Sequence, residues 1–389
     1  MSYINGTHRL NSPVITLARV RPYWRDFGLT RCIDITDLDV MGIPTYVGVR
    51  PRGNVLQVSS GKGITHENAK CSAVMEALEL HHAENPNLKI IKWASENDYC
   101  RIMQPRQNYS LLIDSESMEI IHQYYSPNLV QPWIEACDLV SFSKILIPAN
   151  STYFMQPGFC QTTTNGLASG NSTNEATLHA LYELIERHSI SLLSVNGKVK
   201  LSTLGRVVDL SSCSSPLILK LLNNIKLAGC DLQLIFVPSE LPVYVFMAFI
   251  LDSSPLSINN EVNNGYGCHA DPFIAASRAI TEAAQSRLIF IHGSREDIYD
   301  KIQFNLNRDR NSFAFRYLRE LRPSLVWSQC IKESCLSSLS IDDALDELIR
   351  LFPSNGHPII YRHILECAIP FVSVVKLIVP SMLFNQKLM

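Results

Sequence analysis

Glutamate, followed one helical turn later by a second glutamate or a glutamine, recurs in three aligned segments of this chain. Ala69-Lys-Cys-Ser72-Ala-Val-Met-Glu76-Ala-Leu-Glu79-Leu80 matches Ala176-Thr-Leu-His179-Ala-Leu-Tyr-Glu183-Leu-Ile-Glu186-Arg187 without a gap. The third copy is Ala275-Ala-Ser-Arg278-Ala-Ile-Thr-Glu282-Ala-Ala-Gln285-Ser-Arg287. At about 100° per residue, positions i, i+4 and i+7 fall within an arc of about 60°, so each segment as a helix carries one narrow polar stripe. Outside that stripe the charges are few, Lys70 in the first copy and Arg187 in the second. Helices so poor in charge elsewhere are expected to be mostly buried, with their carboxylates lining an internal site. A solvated helix face would explain any one copy, and an old duplication kept only for packing would explain all three. Against both readings stands the repulsion among carboxylates drawn to one place, which a bound cation relieves.

Carboxylate oxygens without accompanying His or Cys suit a hard cation, and Mg²⁺ takes a few of them and completes its shell with water and phosphate. Each copy also follows a glycine-bearing stretch: Ser60-Gly-Lys62-Gly63, Gly166-Leu-Ala-Ser-Gly170-Asn171, and Gly265-Tyr-Gly267-Cys-His269. Read as turns ahead of helix N-termini, these would offer backbone N–H groups to phosphate. The combination points to a magnesium–nucleotide site. The spacing of Gly61-Lys62-Gly63-Ile64 is not that of a GxxxxGK[ST] loop, and no GxGxxG stands between a clear strand and helix. Lys62, Arg187, Arg278 and Arg287 are the cations placed to neutralise a triphosphate, although a structural salt bridge explains each equally well.

The elements that must position these groups can be read from periodicity and caps. Helix starts are signalled at Thr65, at Ser172 or Thr173, and at Asp271 with Pro272 in the first turn. Helices are predicted at His66 to Ala83, Asn174 to Leu193, Leu217 to Leu227, Pro272 to Ile291, Phe313 to Glu320 and Ile341 to Leu351. Strands are predicted at Thr45 to Arg50, Val55 to Ser59, Lys89 to Trp93, Lys144 to Pro148, Leu232 to Val237, Val243 to Leu251 and Phe371 to Val379. The stretch Asp252 to Gly265, rich in Ser and Asn, reads as a surface loop. The class is α+β, with three related glycine-turn and helix elements converging on a central nucleotide site.

Taken together, these motifs resemble the YcaO family. The resemblance rests on the helix of Ser72, Glu76 and Glu79 after Ser60-Gly-Lys-Gly63, and on Gly170-Asn171-Ser-Thr-Asn-Glu175-Ala with Glu183-Leu-Ile-Glu186-Arg187. It also includes Thr281-Glu282-Ala-Ala-Gln285-Ser-Arg287. Gly6-Thr-His-Arg9 with Thr16, Phe27-Gly-Leu-Thr-Arg31 and Met41-Gly-Ile-Pro-Thr-Tyr-Val-Gly-Val-Arg50 resemble the subgroup that works with TfuA proteins. The match runs from about residue 5 to 300. Residues 1–300 are therefore expected to form an ATP-dependent catalytic domain, with 301–389 as a C-terminal extension packed on the same unit.

The resemblance implies ATP-dependent modification of a peptide backbone amide, with ATP and Mg²⁺ as cofactors. A Cys, Ser or Thr nucleophile gives an azoline, and external sulfide gives a thioamide. Arg9, Thr16, Ser72, Asn171, Arg187 and Arg278 would contact nucleotide. Glu76, Glu79, Glu175, Glu183, Glu186 and Glu282 would hold Mg²⁺ or order the phosphates. Glu76, Glu183, Glu282 and Arg287 are taken as catalytic, Glu76, Glu79, Glu183 and Glu186 as the metal ligands, and Lys62 and Glu175 as part of the ATP site. Leu80 departs from the Arg that many members carry after the first ExxE. Azoline-forming members commonly end in a PxPxP tail, whereas this sequence ends Pro380-Ser-Met-Leu-Phe-Asn-Gln-Lys-Leu-Met389. Thioamide formation with a separate TfuA-like sulfur donor on a ribosomally made precursor peptide is thus favoured. The alternatives are an azoline-forming cyclodehydratase and an ATP-binding accessory protein without turnover. A homodimer stays open.

Composition narrows the remaining classes. With Lys+Arg 34 against Asp+Glu 36 and 18% charged residues among 389, neither a nucleic-acid binder nor a solvated tail is expected. The 11 cysteines are scattered without a CxxC pair, as in a reduced cytoplasmic protein. Neither an apolar signal segment nor a membrane-length run is present, so no membrane partner is expected. His81, His82 and Glu84 as a metal site, and Cys160 and Cys268 as sulfur carriers, are weaker than helix-surface and packing explanations. No GxSxG supports a serine hydrolase.

Overall fold

The computed structural model describes residues 3–4, 6–98, 126, 128–155, 162–195, 198–199, 206–252, 262–293, 313–331 and 336–384. Cys160, the middle of the stretch 252–265 and the last five residues lie outside them. The chain divides into two compact units, Met1–Ala77 with Val199–Ser340, and Leu78–Lys198 with Ile341–Met389. The boundary expected near residue 300 falls among residues 294–312, outside the described residues. Among the described residues, no helix is long and apolar enough to cross a membrane.

The first unit opens with the two-residue strands β1 (Tyr3–Ile4) and β2 (Thr7–His8), then helix α1 (Pro13–Val20). An antiparallel sheet follows in the order β3 (Arg31–Asp34), β4 (Thr45–Val49), β5 (Val58–Lys62). Helix α2 (His66–Glu84) starts here, and the division of the chain falls inside it. The second sheet of this unit comprises β12 (Arg206–Asp209), β13 (Cys230–Val237), β14 (Tyr244–Asp252), β15 (Val262–His269) and β16 (Leu325–Val326). Their order is β15-β14-β13-β12-β16, and only the last pair is parallel. Helices α4 (Pro216–Leu227) and α5 (Pro272–His292) share one apolar core with it, built on Ile218, Leu221, Phe246, Ala275, Ala279 and Trp327. Helices α6 (Phe313–Glu320) and α7 (Trp327–Cys330) complete the unit.

The second unit contains β6 (Lys92–Ala94), β7 (Gln131–Asp138), β8 (Lys144–Pro148) and β9 (Leu167–Gly170). Helix α3 (Thr173–Leu192) follows, with β10 (Ser194–Val195) and β11 (Lys198–Val199) where the chain crosses back. Helix α8 (Ile341–Leu351), β17 (Tyr361–Leu365) and β18 (Ser373–Ile378) come from the end of the chain. The sheet order is β6-β7-β17-β18-β9, with β8 on β7. The last 49 residues thus supply the strands that join β7 to β9.

Three strand-then-helix passages, β5 to α2, β9 to α3 and β15 to α5, hold the repeated segments. Their caps match the sequence signals. Thr65 Oγ1 accepts the Asn68 N–H at 3.2 Å, Ser172 Oγ the Glu175 N–H at 3.1 Å, and Asp271 the N–H groups of Phe273 and Ile274 at 2.8 and 3.0 Å. Of the glycines expected in turns, Gly166 lies in one with φ 75°, whereas Gly61, Gly170, Gly265 and Gly267 lie on the strands. A Cβ on Gly61 would sit 2.0 Å from Ala73 N and 2.2 Å from Ala69 O. On Gly170 it would meet Ala176 N at 2.6 Å, on Gly267 Ala275 O at 2.1 Å, and on Gly265 Ala283 N at 2.2 Å. The alanines of the repeated pattern are therefore the helix side of a glycine-on-alanine contact that brings strand and helix backbones together. This also corrects the loop expected up to Gly265, because residues 262–265 begin β15.

Candidate nucleotide and metal site

In the first unit, β5 ties two of the acidic helices to one strand. The Ser60 N–H donates to Glu76 Oε2 at 3.0 Å, and Gln285 Nε2 donates to Ser60 Oγ at 2.9 Å. Two residues along the strand, Lys62 Nζ is bonded to Glu282 Oε2. Gly61 lies between them against α2, so the alternation of a strand directs Ser60 and Lys62 to the same side. Glu76 and Glu282 are half-buried, which is compatible with charge and with access. Ser72 is half-buried on α2 one turn before Glu76.

A second group in this unit is cationic. Arg278 is half-buried on α5, and its Nε is buried without a hydrogen-bond partner among the described residues. Its charge and those of His8 and Arg9 act on the buried ring of His269. Thr16 is buried in α1 and donates through Oγ1 to Ser12 O at 3.3 Å. Arg287 is placed differently from the other cations. Its Nε donates to Asp39 Oδ2 at 3.0 Å and its Nη1 to Asp252 Oδ2 at 2.7 Å, with 6% of its side chain exposed. Burial works against that charge, but the hydrogen bond it donates to Asp252 and the charge of Asp39 outweigh it and raise the pKa.

In the second unit, Glu79 Oε1 accepts both the Ser169 N–H at 2.7 Å and the Ser169 hydroxyl at 2.6 Å. Asn171 Nδ2 donates to Glu175 Oε1 and Oε2 at 3.1 and 3.3 Å, and Glu175 is 3% exposed. On α3 the Glu183 carboxylate meets Arg187 Nε at 3.4 Å one turn away, and Glu186 is buried. Arg187 also places its guanidinium 5.7 Å from the ring of Phe384. Within α2, Glu76 and Glu79 are thus each oriented by an N–H of the strand that precedes a repeated helix. A carboxylate offers about four lone-pair sites, and these bonds to strand N–H groups set its direction.

Sequence reasoning did not assign Ser60, Ser169, Asp39, Asp252, His269 or Phe384 to these contacts. Ser60 carries a usable signal in its place beside Gly61 and Lys62, whereas Asp39, Asp252 and Phe384 have none, since their partners lie far along the chain. His82 Nδ1 bonds the Leu78 carbonyl at 2.8 Å, its pKa lowered by burial, and Cys268 is buried in β15. The described cysteines are all free thiols.

A family model described as YcaO cyclodehydratase, ATP- and Mg²⁺-binding, matches residues 60–383. The chain belongs to the YcaO family. It is 32% identical over 387 residues to an uncharacterized protein in the tfuA 3′ region of Rhizobium leguminosarum bv. trifolii, covering 96% of this chain and 88% of that one. It is 34% identical over 318 residues to an uncharacterized protein of Mycobacterium tuberculosis H37Rv, covering 79% and 68%. Among solved structures, the YcaO protein of Methanopyrus kandleri bound with AMPPCP and Mg²⁺ superimposes with a TM-score of 0.73 at 21% identity, over 98% of this chain and 93% of that one. A heterocyclase in complex with substrate and cofactor gives 0.76 at 20% identity over 99% of this chain and 54% of that one. The fold is the α+β fold of these proteins.

Proposed function

We propose that this protein uses ATP to activate a backbone amide of a peptide and that sulfide then replaces the amide oxygen. The observation that carries the ATP reading is the pair Glu76 and Glu79, two half-buried carboxylates on one helix, each aimed by a strand N–H. Like charges one turn apart repel, and a divalent cation offsets that cost. Two further observations fit the same ligands. The Glu282 carboxylate already takes a cation, the Lys62 ammonium, and the buried Arg278 Nε has a hydrogen to give an anion. When bound, Mg²⁺ held by Glu76 and Glu79 would screen the triphosphate and draw charge from the transferred phosphoryl group, and Glu183 with Glu186 is the matching acidic pair on α3.

The residues divide the work by chemistry. Arg9, Lys62, Arg187 and Arg278 supply positive charge for phosphate oxygens, and Thr16, Ser72 and Asn171 supply neutral polar contacts. Glu175, anchored by Asn171 and the Ser172 cap, orders the start of α3. Glu282 would hold or pass a proton at the reacting amide, while Glu183 stays among the candidate metal ligands. Arg287 enters as a positioning residue for α5. In the reaction, sulfide adds to the carbonyl carbon and the oxyanion so formed takes the γ-phosphoryl group. ADP is released, and phosphate then departs with the former carbonyl oxygen as the S–H proton is lost, leaving C=S. Phosphorylation is needed because oxide is a poor leaving group.

The choice of sulfide rests on the relative encoded in a tfuA region, and a TfuA-like protein is the proposed donor. Incubating the purified chain with a candidate precursor peptide, Mg-ATP and sulfide tests it by mass spectrometry. Exchange of one oxygen for one sulfur is expected. Loss of one water from a Cys-containing peptide, with no sulfur gained, would instead assign an azoline-forming cyclodehydratase. Glu76→Gln and Glu186→Gln should each lower Mg-dependent phosphate release by about 100-fold or more while the melting temperature holds. Gln keeps an acceptor for the Ser60 N–H, so undiminished turnover in both variants removes the metal assignment.

A further inference from the structure

His269 ends β15, two residues before the cap Asp271, and is 4% exposed. The Asp271 N–H donates to its Nδ1 at 2.9 Å, which makes that nitrogen the acceptor and leaves the ring proton on Nε2. Burial, and after it the charges of Arg278, His8 and Arg9, hold its pKa well below the usual histidine value. The ring is therefore neutral, and protonating Nδ1 would oppose the Asp271 N–H.

The same ring is a seat for another element. His8 at the end of β2 meets it edge to face, with centroids 5.9 Å apart and planes at 81°. Arg9 follows His8 directly, so whatever fixes His8 also limits where the Arg9 guanidinium can go. Arg278 stands two turns into α5 from the Asp271 cap, with a buried Nε that lacks a partner among the described residues. Charges from two distant parts of the sequence, Arg278 and the His8–Arg9 pair, thus act on one buried ring that His8 also touches. An ordinary satisfied core histidine accounts for the Asp271 bond but not for this gathering of positive charge.

We propose that His269 is a positioning residue of the nucleotide site: it seats His8 and so directs Arg9 to the same anion that the Arg278 guanidinium receives. This rests on the reading of Arg9 and Arg278 as triphosphate contacts. The ring itself does not touch the nucleotide.

The test is calorimetric titration of the full chain with a non-hydrolysable Mg-ATP analogue, alongside steady-state kinetics and thermal melts. His269→Asn keeps an acceptor for the Asp271 N–H but is too short to seat His8, and His8→Ala removes the seated ring. Each is expected to weaken analogue binding about 10-fold, with kcat at saturating ATP within about twofold of the parent. His8→Phe keeps the edge contact and should restore most of the affinity. Arg9→Ala should weaken binding by a similar factor, and Arg9→Ala combined with His269→Asn by no more than Arg9→Ala alone, since both act through one guanidinium. Additive losses in the double variant, or full affinity in His269→Asn and His8→Ala while Arg9→Ala and Arg278→Ala bind poorly, would overturn the proposal and leave the nucleotide reading standing. Normal affinity in Arg9→Ala and Arg278→Ala would remove both. Should His269→Asn lower the melting temperature sharply, His8→Ala and His8→Phe decide the question alone.

Discussion

At the scale of single residues, Arg287 shows how burial changes the meaning of a charge. As a sequence position it is one of four cations that a triphosphate could use, but in the fold its guanidinium is shared between two buried aspartates. Removing it leaves Asp39 and Asp252 without their counter-charge, a loss that typically costs about 3–5 kcal/mol. Arg287→Met is therefore expected to shift the urea midpoint strongly downward, and its activity at low temperature should follow the folded fraction. Lost turnover in a variant of unchanged stability would instead mark Arg287 as a group that touches substrate. Glu76 and Glu79 are the contrasting case, half-buried carboxylates that each accept a strand N–H.

At the scale of elements, the strand-then-helix passage is a packing solution as much as a binding one. A strand can lie directly on a helix backbone only where neither presents a large side chain, and Gly61 against Ala69 and Ala73 meets that condition. Gly61→Ala and Gly267→Ala are expected to destabilise the protein by about 1–3 kcal/mol or more, because the added methyl meets backbone and not a side chain that can move. Denaturation midpoints would check this, and a neutral effect of both would mean that strand and helix separate at little cost. The close approach also bears on the acidic side chains. It puts the Ser60 N–H within reach of Glu76 on the helix packed against Gly61, whereas the Ser169 N–H meets Glu79 on α2, a different helix from the α3 that packs on Gly170.

At the scale of the whole molecule, the chain crosses between its two units three times, so neither is a continuous stretch of sequence. Residues 341–389 supply β17 and β18, which link β7 to β9 in the sheet of the second unit. A chain ending at Ser340 is expected to lose that sheet, seen as exposed hydrophobic surface and the absence of a cooperative melt; a soluble, cooperatively melting product would show that the strands are dispensable. Acid should also weaken the protein through its buried histidines. His82, His269 and His363 have pKa values lowered chiefly by burial below the ordinary 6.5. The unfolded chain takes up those protons first, so their contribution is complete above about pH 6.5 and is lost as the pH falls toward the folded-state values. Each histidine removes up to about 1.4 kcal/mol per pH unit in that window, and urea midpoints taken between roughly pH 7 and pH 5 would reveal it.

Much was legible without coordinates where the information is local. The ends of α2, α3, α4, α5, α6 and α8 follow from periodicity and caps, and the stripes of Glu76 with Glu79 and Glu183 with Glu186 follow from 100° of rotation per residue. Other elements were not legible. The sequence Val262-Asn-Asn-Gly-Tyr-Gly-Cys-His269 has weak strand propensity, because its glycines serve a helix packed on them and not the strand itself. The partners of Arg287, the strand N–H groups on Glu76 and Glu79, and the seat of His8 on His269 are contacts between residues well separated along the chain. Residue type and spacing therefore set which groups were candidates for magnesium and phosphate, whereas tertiary contacts decided their hydrogen-bond partners, because those partners lie far apart along the chain.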